Sequence, residues 1–229
     1  MPPTIILVRH AEALHNETNI LHDPKLTELG RSQCRDLRKD LMGRIPKELD
    51  VGLIIVSPMI RTIETALLAF GRLVKSGVPI QAHAGWQENS AKPCDTGSSI
   101  EKVSAMFPEV DFGHVDPVFP DKASPAGAKY SYTKQAIVAR GKSVLQELHD
   151  RPEKAIIVVS HSGFLRLGVT GHYFINADYR IFDFVEGEEG GFALKQWEST
   201  KAGGLGRSWE RMVPIGDGLP EDSSVVGQS

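Results

Sequence analysis

Three short apolar runs, each of which stops at a polar residue, constrain the fold of this chain more than any other feature. The runs cover residues 4–8, 51–56 and 155–159. Aliphatic and β-branched runs of this length are typical of strands that are buried on both faces of a sheet. The residues that follow them are Arg9-His10, Ser57-Pro58 and Ser160-His161. We therefore expect polar chemistry where buried strands end.

Helical patterns separate these strands. The spacing of apolar residues predicts helices over 26–42, from Ser57 onwards (with Ser57 as the cap and Pro58 in the first turn), and over 100–107, 133–149 and 164–169. A short strand is expected at 78–82 and a β-hairpin at 181–198. Alternation of this kind predicts a three-layer α/β/α fold with a mostly parallel central sheet. In such sheets, ligands bind beyond the carboxyl ends of the strands.

The length of 229 residues suits one domain better than two. We expect that domain to cover residues 1–214, with an irregular, lid-like insertion at about 83–131 and a frayed tail at 215–229. The part of the insertion from 99 to 131 carries several aromatic residues and lysines. They could contact a leaving group or only pack the insertion down, and the sequence does not choose between these roles.

Composition excludes several classes of partner. The net charge is −3 and the chain has no dense run of Lys and Arg, so we expect no nucleic-acid partner. The first apolar run is too short for a secretory signal or a membrane helix, so no membrane partner is expected. Two cysteines are too few for a disulfide framework or a structural zinc site. A cytoplasmic, soluble protein is the expectation.

Two histidines and two arginines lie just past strand ends, namely His10, His161, Arg9 and Arg61. Phosphoryl transfer depends mainly on positioning and on neutralising the charge of the phosphoryl oxygens. Arginine suits this task because its planar fork donates two parallel hydrogen bonds and stays charged. One imidazole can attack phosphorus while the other donates to an oxygen, and a carboxylic acid can protonate the leaving oxygen. The placement of these residues indicates phosphoryl-transfer chemistry.

The same residues fall within four motifs that resemble those of the histidine phosphatase superfamily, also called phosphoglycerate mutase-like. Residues 9–16 (R-H-A-E-A-L-H-N) are similar to R-H-[G/A]-x-x-x-x-N, and 57–62 (S-P-M-I-R-T) to S-P-x-x-R-[T/A]. Residues 160–166 (S-H-S-G-F-L-R) are similar to S-H-G-G-x-x-R, with Ser162 replacing the first glycine. The acidic element is Gln87-Glu88, and 93–97 (P-C-D-T-G) look most like small fungal broad-specificity phosphatases. The motifs occur in the family order between residues 5 and 166.

The resemblance implies a phosphoglycerate mutase-like fold and a role for each matching residue. His10 would be the nucleophile that becomes phosphohistidine, and Glu88 would be the general acid and then the base. Residues implied to bind the phosphoryl group are Arg9, Asn16, Arg61, His161, and the backbone of Ser162 and Gly163. The substrate would be a small phosphorylated molecule, with no metal and no other cofactor.

Several alternatives stay open or are disfavoured. Asp95 could replace Glu88 as the acid, since both lie in one loop region. The spacing of His10, Glu12 and His15 does not match a known metal motif. Phosphoglycerate mutases follow the acid with R-H-Y-G, whereas residues 89–92 here are N-S-A-K, so a phosphatase is predicted over a mutase. A non-catalytic phosphate-binding module would lack the nucleophile or the acid. The substrate and the oligomeric state are not predicted.

Overall fold

Six strands form one sheet in the computed structural model, which describes residues 1–14, 21–45, 47–187 and 191–221. The strands are β1 (Thr4–Arg9), β2 (Val51–Val56), β3 (Ile80–Ala82), β4 (Ala155–Ser160), β5 (Tyr179–Glu186) and β6 (Phe192–Gln196). Their order across the sheet is β3-β2-β4-β1-β5-β6. The predicted hairpin at 181–198 corresponds to β5 and β6, which pair antiparallel. Residues 188–190, in the turn expected between them, lie outside the described residues.

The first four strands run parallel, and β5 joins β1 antiparallel. In the register, Arg9 of β1 lies opposite Ser160 of β4, and Val56 of β2 lies opposite Val159. The carboxyl ends of β2, β4 and β1 therefore meet at one edge of the sheet, side by side. The predicted mostly parallel sheet is confirmed.

Helices cover both faces, as predicted. They are α1 (Glu28–Arg44), α2 (Ile60–Lys75), α3 (Ile100–Met106), α4 (Lys134–His149) and the single turn α5 (Ser162–Phe164), which continues as a π-helical segment, Leu165–Thr170. Successive residues of a strand point to opposite faces. Accordingly, Ile6 and Val8 of β1 share one core with α1 and α2, while Ile5 and Leu7 share the other with α4. None of the described helices is both long and apolar enough to cross a membrane.

The start of α2 corrects one prediction. Ser57 does not cap this helix, because α2 begins at Ile60 and its cap position is Met59, which has no side-chain capping bond. The N–H of Ile60 instead donates to Oδ1 of Asp23 at 3.0 Å. A buried carboxylate from a distant part of the chain thus replaces the local cap, and the Ser57 hydroxyl is left for another partner.

The insertion at 83–131 contains α3 and three single helical turns, Ala84–Trp86, Pro93–Asp95 and Ala128–Tyr130. It is tied to the sheet at Asp111, whose N–H donates to Ile80 O at 2.9 Å and whose carbonyl accepts from Ala82 N at 2.8 Å. Phe119 and Tyr130 are buried in the core shared with α1 and α2. For these aromatic residues, the structure favours packing over contact with a leaving group.

Residues 215–221 of the predicted tail are held against the domain instead of being frayed. Gly216 N donates to Leu167 O at 2.8 Å, and Lys134 N donates to Pro220 O at 2.8 Å. Leu219 is buried against the core on the α4 side. The prediction of fraying from residue 215 is therefore wrong for 215–221, because one apolar side chain and two backbone bonds tie this segment to the domain. Residues 222–229 lie outside the described part of the chain.

Candidate active site

Three polar side chains lie on neighbouring strand ends at the sheet edge. His10 follows β1, Ser57 follows β2 and His161 follows β4. The His10 N–H donates to Ser160 O at 2.9 Å, and the Ser57 N–H donates to Val159 O at 3.0 Å, so the ladder continues into the site. The rings of His10 and His161 have centroids 5.2 Å apart. Parallel pairing therefore brings residues distant in sequence within contact of one reacting group.

His10 has a defined ring orientation. Its Nδ1 lies 2.7 Å from the carbonyl oxygen of Ala11, and His10 is only 2% exposed. A carbonyl can only accept, so Nδ1 carries the proton, and the lone pair of the neutral ring is on Nε2. The backbone carbonyl of His10 accepts from Asn176 Nδ2 at 3.1 Å. The contact with Ala11 thus fixes a tautomer that can act as a nucleophile, and the contact with Asn176 holds the backbone of His10.

Two arginines supply positive charge beside the histidines. Arg61 is fully buried, and it donates from Nη1 to Cys94 O at 2.7 Å. Arg9 donates from Nη1 to Phe174 O at 3.0 Å. Burial lowers the pKa of Arg9 to about 10, with smaller contributions from Glu88, which raises it, and from Arg61 and Arg166, which lower it. Arg9 therefore stays charged at neutral pH.

Both arginines retain a donor without a partner. The buried Nε of Arg9 and of Arg61 makes no hydrogen bond within the described residues. Buried donors of charged groups are costly when unpaired, so such groups are normally matched by an acceptor. A phosphoryl group offers oxygens of the required charge. This arrangement can bind a tetrahedral dianion next to His10.

Glu88 lies at the same edge and is fixed by backbone donors. Its Oε1 accepts from Asn89 N at 2.9 Å and from Phe164 N at 3.0 Å, and its Oε2 accepts from Gly163 N at 3.2 Å. The expected contact of the Gly163 N–H with phosphate is therefore replaced, in this structure, by a contact with Glu88. The hydroxyl of Ser162 donates to Phe174 O at 3.4 Å. The first turn after His161 thus orients the carboxyl group.

The close approach of Glu88 to Gly163 gives a testable result. A Cβ added at Gly163 would lie 2.5 Å from Oε1 of Glu88, so Gly163→Ala must displace the carboxyl group. We expect kcat/KM for phenyl phosphate to fall about tenfold or more, and that for p-nitrophenyl phosphate to fall less, because only the basic phenolate needs a proton from an acid. The matched control is Gly71→Ala in α2, where an added Cβ meets nothing within 4 Å. An equal loss on both substrates would contradict a role through Glu88.

Asp95, the alternative acid, and the neighbouring Cys94 have different surroundings from Glu88. Asp95 lies 3.5 Å from Nη2 of Arg61 and accepts from Ser90 Oγ at 2.6 Å, so it orients the arginine. Burial, together with the nearby Asp95 carboxylate, raises the pKa of the Cys94 thiol, which disfavours the thiolate that a nucleophile needs. Asp95 is thus engaged by Arg61, and the surroundings of Cys94 do not favour a nucleophilic thiolate.

Several site residues were not found by sequence reasoning. The Ser57 hydroxyl lies 2.9 Å from Nε2 of His161, although the sequence suggested a helix cap. Lys122 and Arg140 contact the loop that carries Glu88, and no local pattern marks either residue. Arg166, the arginine of the third motif, lies over the ring of Tyr173 at 4.6 Å. Asn16, predicted to assist phosphate binding, lies outside the described residues.

A small pocket of about 200 Å³ opens beside Glu88. Its lining includes Lys92, Tyr132 and Arg166, so a leaving group placed there would meet cations and one aromatic ring. Two larger cavities, of about 390 and 560 Å³, are both lined by His83 and Glu147. His10 and His161 line neither of these cavities, so cavity volume alone does not identify the candidate active site.

Comparison with known proteins agrees with this geometry. Residues 5–181 match the model of the histidine phosphatase superfamily (branch 1), and the chain belongs to that superfamily. It is 32% identical over 171 residues to a protein named probable phosphatase from Schizosaccharomyces pombe, covering 72% of this chain and 76% of that one. It is 33% identical over 199 residues to phosphoglycerate mutase-like protein 1 of Arabidopsis thaliana, covering 71% and 69%.

Solved structures show the same fold. The YhfR protein of Bacillus stearothermophilus superposes with a TM-score of 0.54 at 18% identity, covering 85% of this chain and 96% of that chain. A mycobacterial glucosyl-3-phosphoglycerate phosphatase, solved with VO3, superposes with a TM-score of 0.51 at 19% identity, covering 85% and 98%. The predicted phosphoglycerate mutase-like fold is thereby confirmed.

Proposed function

We propose that this chain is a phosphatase that hydrolyses a small phosphomonoester through a phosphohistidine at His10. The observation that carries the proposal is the meeting of His10 and His161, with ring centroids 5.2 Å apart, beside Arg9 and Arg61, whose Nε atoms have no partner among the described residues. Nucleophile and anion-binding donors thus share one strand edge. The phosphatase name of the fungal relative supports the same reaction class.

In the first step, Nε2 of His10 attacks phosphorus and the bond between phosphorus and the leaving oxygen breaks. Arg9, Arg61 and His161 donate to the three phosphoryl oxygens, with Asn16 as a further donor. The proton of the Glu88 carboxyl group passes to the leaving oxygen, so the alcohol departs neutral. The contacts of Glu88 with Gly163 and Phe164 support its position in this step, because they hold its carboxyl group at the first turn after His161.

In the second step, water attacks the phosphohistidine. Glu88, now a carboxylate, removes a proton from that water, and the bond between phosphorus and Nε2 breaks to release inorganic phosphate. Both steps need positive charge around the phosphoryl group, and the two arginines with His161 supply it without a metal ion. Metal independence is therefore part of the proposal.

A mutase would return the phosphoryl group to an organic hydroxyl instead of water. The residues after Glu88 support hydrolysis, because Asn89 and Ser90 replace the arginine and histidine of the mutase pattern. The Asn89 side chain is hydrogen-bonded to Arg140, whose Nη2 donates to Asn89 Oδ1 at 2.7 Å.

We also infer a cytoplasmic location from the low cysteine content. The two cysteines, Cys34 and Cys94, form no disulfide.

The test is hydrolysis of p-nitrophenyl phosphate by the full chain, with and without EDTA. We expect nitrophenol release that EDTA does not diminish, and absence of release would overturn the proposal. Loss of activity in EDTA, restored by a divalent cation, would refute metal independence alone. Incubation with 3-phosphoglycerate separates the alternatives, since a phosphatase yields inorganic phosphate and a mutase yields 2-phosphoglycerate.

A further inference from the structure

Lys122 is a buried cation that the reaction steps above do not use. It is 5% exposed, and it lies in the insertion between α3 and α4. Its Nζ donates to three carbonyl oxygens, those of Glu88 at 2.7 Å, Ser90 at 2.8 Å and Asp95 at 2.6 Å. An ammonium group has three N–H donors, so these bonds use all of them.

All three acceptors belong to the acid loop, which we define as residues 87–95. Glu88 is near its start, and Asp95, at its end, is the partner of Arg61. A single ammonium group thus ties together the backbone of the proposed acid and the backbone next to a phosphate-binding arginine. The backbone conformation of the acid loop therefore depends on one charged atom.

Arg140 of α4 supports the acid loop from a second side. Its Nη1 donates to Gln87 O at 3.0 Å, and its Nη2 donates to Asn89 Oδ1 at 2.7 Å. Its guanidinium also lies 4.0 Å above the ring of Phe164, the residue whose N–H donates to Glu88. Backbone atoms before and after Glu88 are thus fixed by cations from two separate elements.

Burial of these cations has a free-energy cost. Taking an ammonium group out of water disfavours its charged form, and burial lowers the pKa of Lys122 to about 7. Arg140 and Arg61 contribute to this lowering of the pKa, while Glu88 and Asp95 oppose it. An apolar side chain would pack there without that cost, but it would leave the three carbonyls unpaired. The charged ammonium group of Lys122 therefore lies where it holds the backbone of Glu88 in position.

We propose that Lys122 is a positioning residue for the general acid, which it places by binding the backbone of the acid loop at three carbonyls. This inference rests on the proposed role of Glu88 in protonating the leaving oxygen. Lys122 does not touch the phosphoryl group in this account. Its effect on rate comes through the distance between the Glu88 carboxyl group and the leaving oxygen.

The test uses Lys122→Met, which keeps a long side chain and removes the charge. The measured quantity is the leaving-group ratio, defined as kcat/KM for p-nitrophenyl phosphate divided by kcat/KM for phenyl phosphate. We expect the ratio to rise about tenfold or more, since general-acid catalysis contributes about 10²–10⁴-fold and matters most for the basic phenolate. The control is Lys129→Met in the same segment, where the lysine is exposed and pairs with Asp116; its ratio should match that of the wild type. An unchanged ratio in folded Lys122→Met overturns the inference.

A double variant separates this inference from the proposed function. If Lys122 acts through Glu88, adding Lys122→Met to Glu88→Gln should leave the leaving-group ratio nearly unchanged. If the two residues acted independently, the effects of the two substitutions on the ratio would multiply. A further rise in the double variant overturns the inference alone. A normal ratio in Glu88→Gln itself refutes Glu88 as the acid, and with it the reason to assign Lys122 this role.

The pH profile gives a readout that does not depend on the Met variant folding. Above about pH 7, Lys122 becomes a neutral amine, and two N–H donors cannot satisfy three carbonyls. The leaving-group ratio of the wild type should therefore rise as the pH passes through about 7. In Lys122→Arg, which stays charged over this pH range, the ratio should stay flat. The same rise in Lys122→Arg would contradict the inference.

Discussion

Replacing His10 with alanine is expected to lower kcat/KM for p-nitrophenyl phosphate by about a thousandfold or more, because none of the other side chains that the structure describes at the strand edge is suited to replace it as nucleophile. Nε2 of His161 is hydrogen-bonded to the Ser57 hydroxyl, and burial disfavours the thiolate form of Cys94. Loss of the nucleophile should also abolish the covalent intermediate. The measurements are steady-state hydrolysis and quenched-flow trapping of the phosphorylated chain, in which phosphohistidine is labile to acid and stable to alkali.

The control for this variant is His114→Ala, which removes a histidine that is 68% exposed and lines the two larger cavities. Its activity should equal that of the wild type. The backbone of His10 should stay in place in His10→Ala, because Asn176 and Ser160 bond to main-chain atoms. If His10→Ala is folded, as judged by circular dichroism, and still releases nitrophenol, the assignment of His10 as nucleophile is wrong.

Glu88→Gln should slow poor leaving groups far more than activated ones. Glutamine has nearly the same shape but cannot release a proton, so we expect a loss of about 10²–10⁴-fold on phenyl phosphate and a much smaller one on p-nitrophenyl phosphate. Departure of nitrophenolate needs little help, because its oxygen is weakly basic. The leaving-group ratio, measured at one pH for both substrates, reports this difference directly.

Asp95→Asn is the matched control for this experiment. Asp95 contacts Arg61 at 3.5 Å, so its loss should disturb phosphate binding and slow both substrates by a similar factor. Should Asp95→Asn raise the leaving-group ratio while Glu88→Gln leaves it unchanged, the acid would be Asp95. This pair of variants therefore decides between the two carboxylates that the sequence left in competition.

The main elements of the fold were predictable because their signals are local. The runs that form β1, β2 and β4 are continuous aliphatic stretches, and the predicted start of α1 is explained by Thr27, whose hydroxyl accepts from Gly30 N at 2.9 Å. The start of α2 was not predictable in this way. Its capping group, Asp23, is 37 residues away from Ile60, and no local pattern reports a contact over that distance.

The candidate site likewise contains residues that local patterns identified and residues that only long-range contacts revealed. His10, Arg61 and His161 were identified because each follows a strand within a motif, and parallel strands end at a common edge. Ser57 was assigned a local role as a cap, whereas the register of β2 and β4 places its hydroxyl on His161. Gly163 was expected to contact phosphate, whereas its N–H contacts a carboxylate from another loop. Each difference arises from a contact between segments.

The sequence by itself determined the α/β class, the family resemblance and the histidine that we propose as nucleophile, because strand periodicity and short motifs depend on consecutive residues. Only the tertiary structure decided how the proposed acid is placed. Lys122 and Arg140 reach the acid loop from 34 and 53 residues away, and Phe164 contacts Glu88 from 76 residues away. Such contacts exist only after the chain has closed long loops, so their residue types alone carry no signal of their partners.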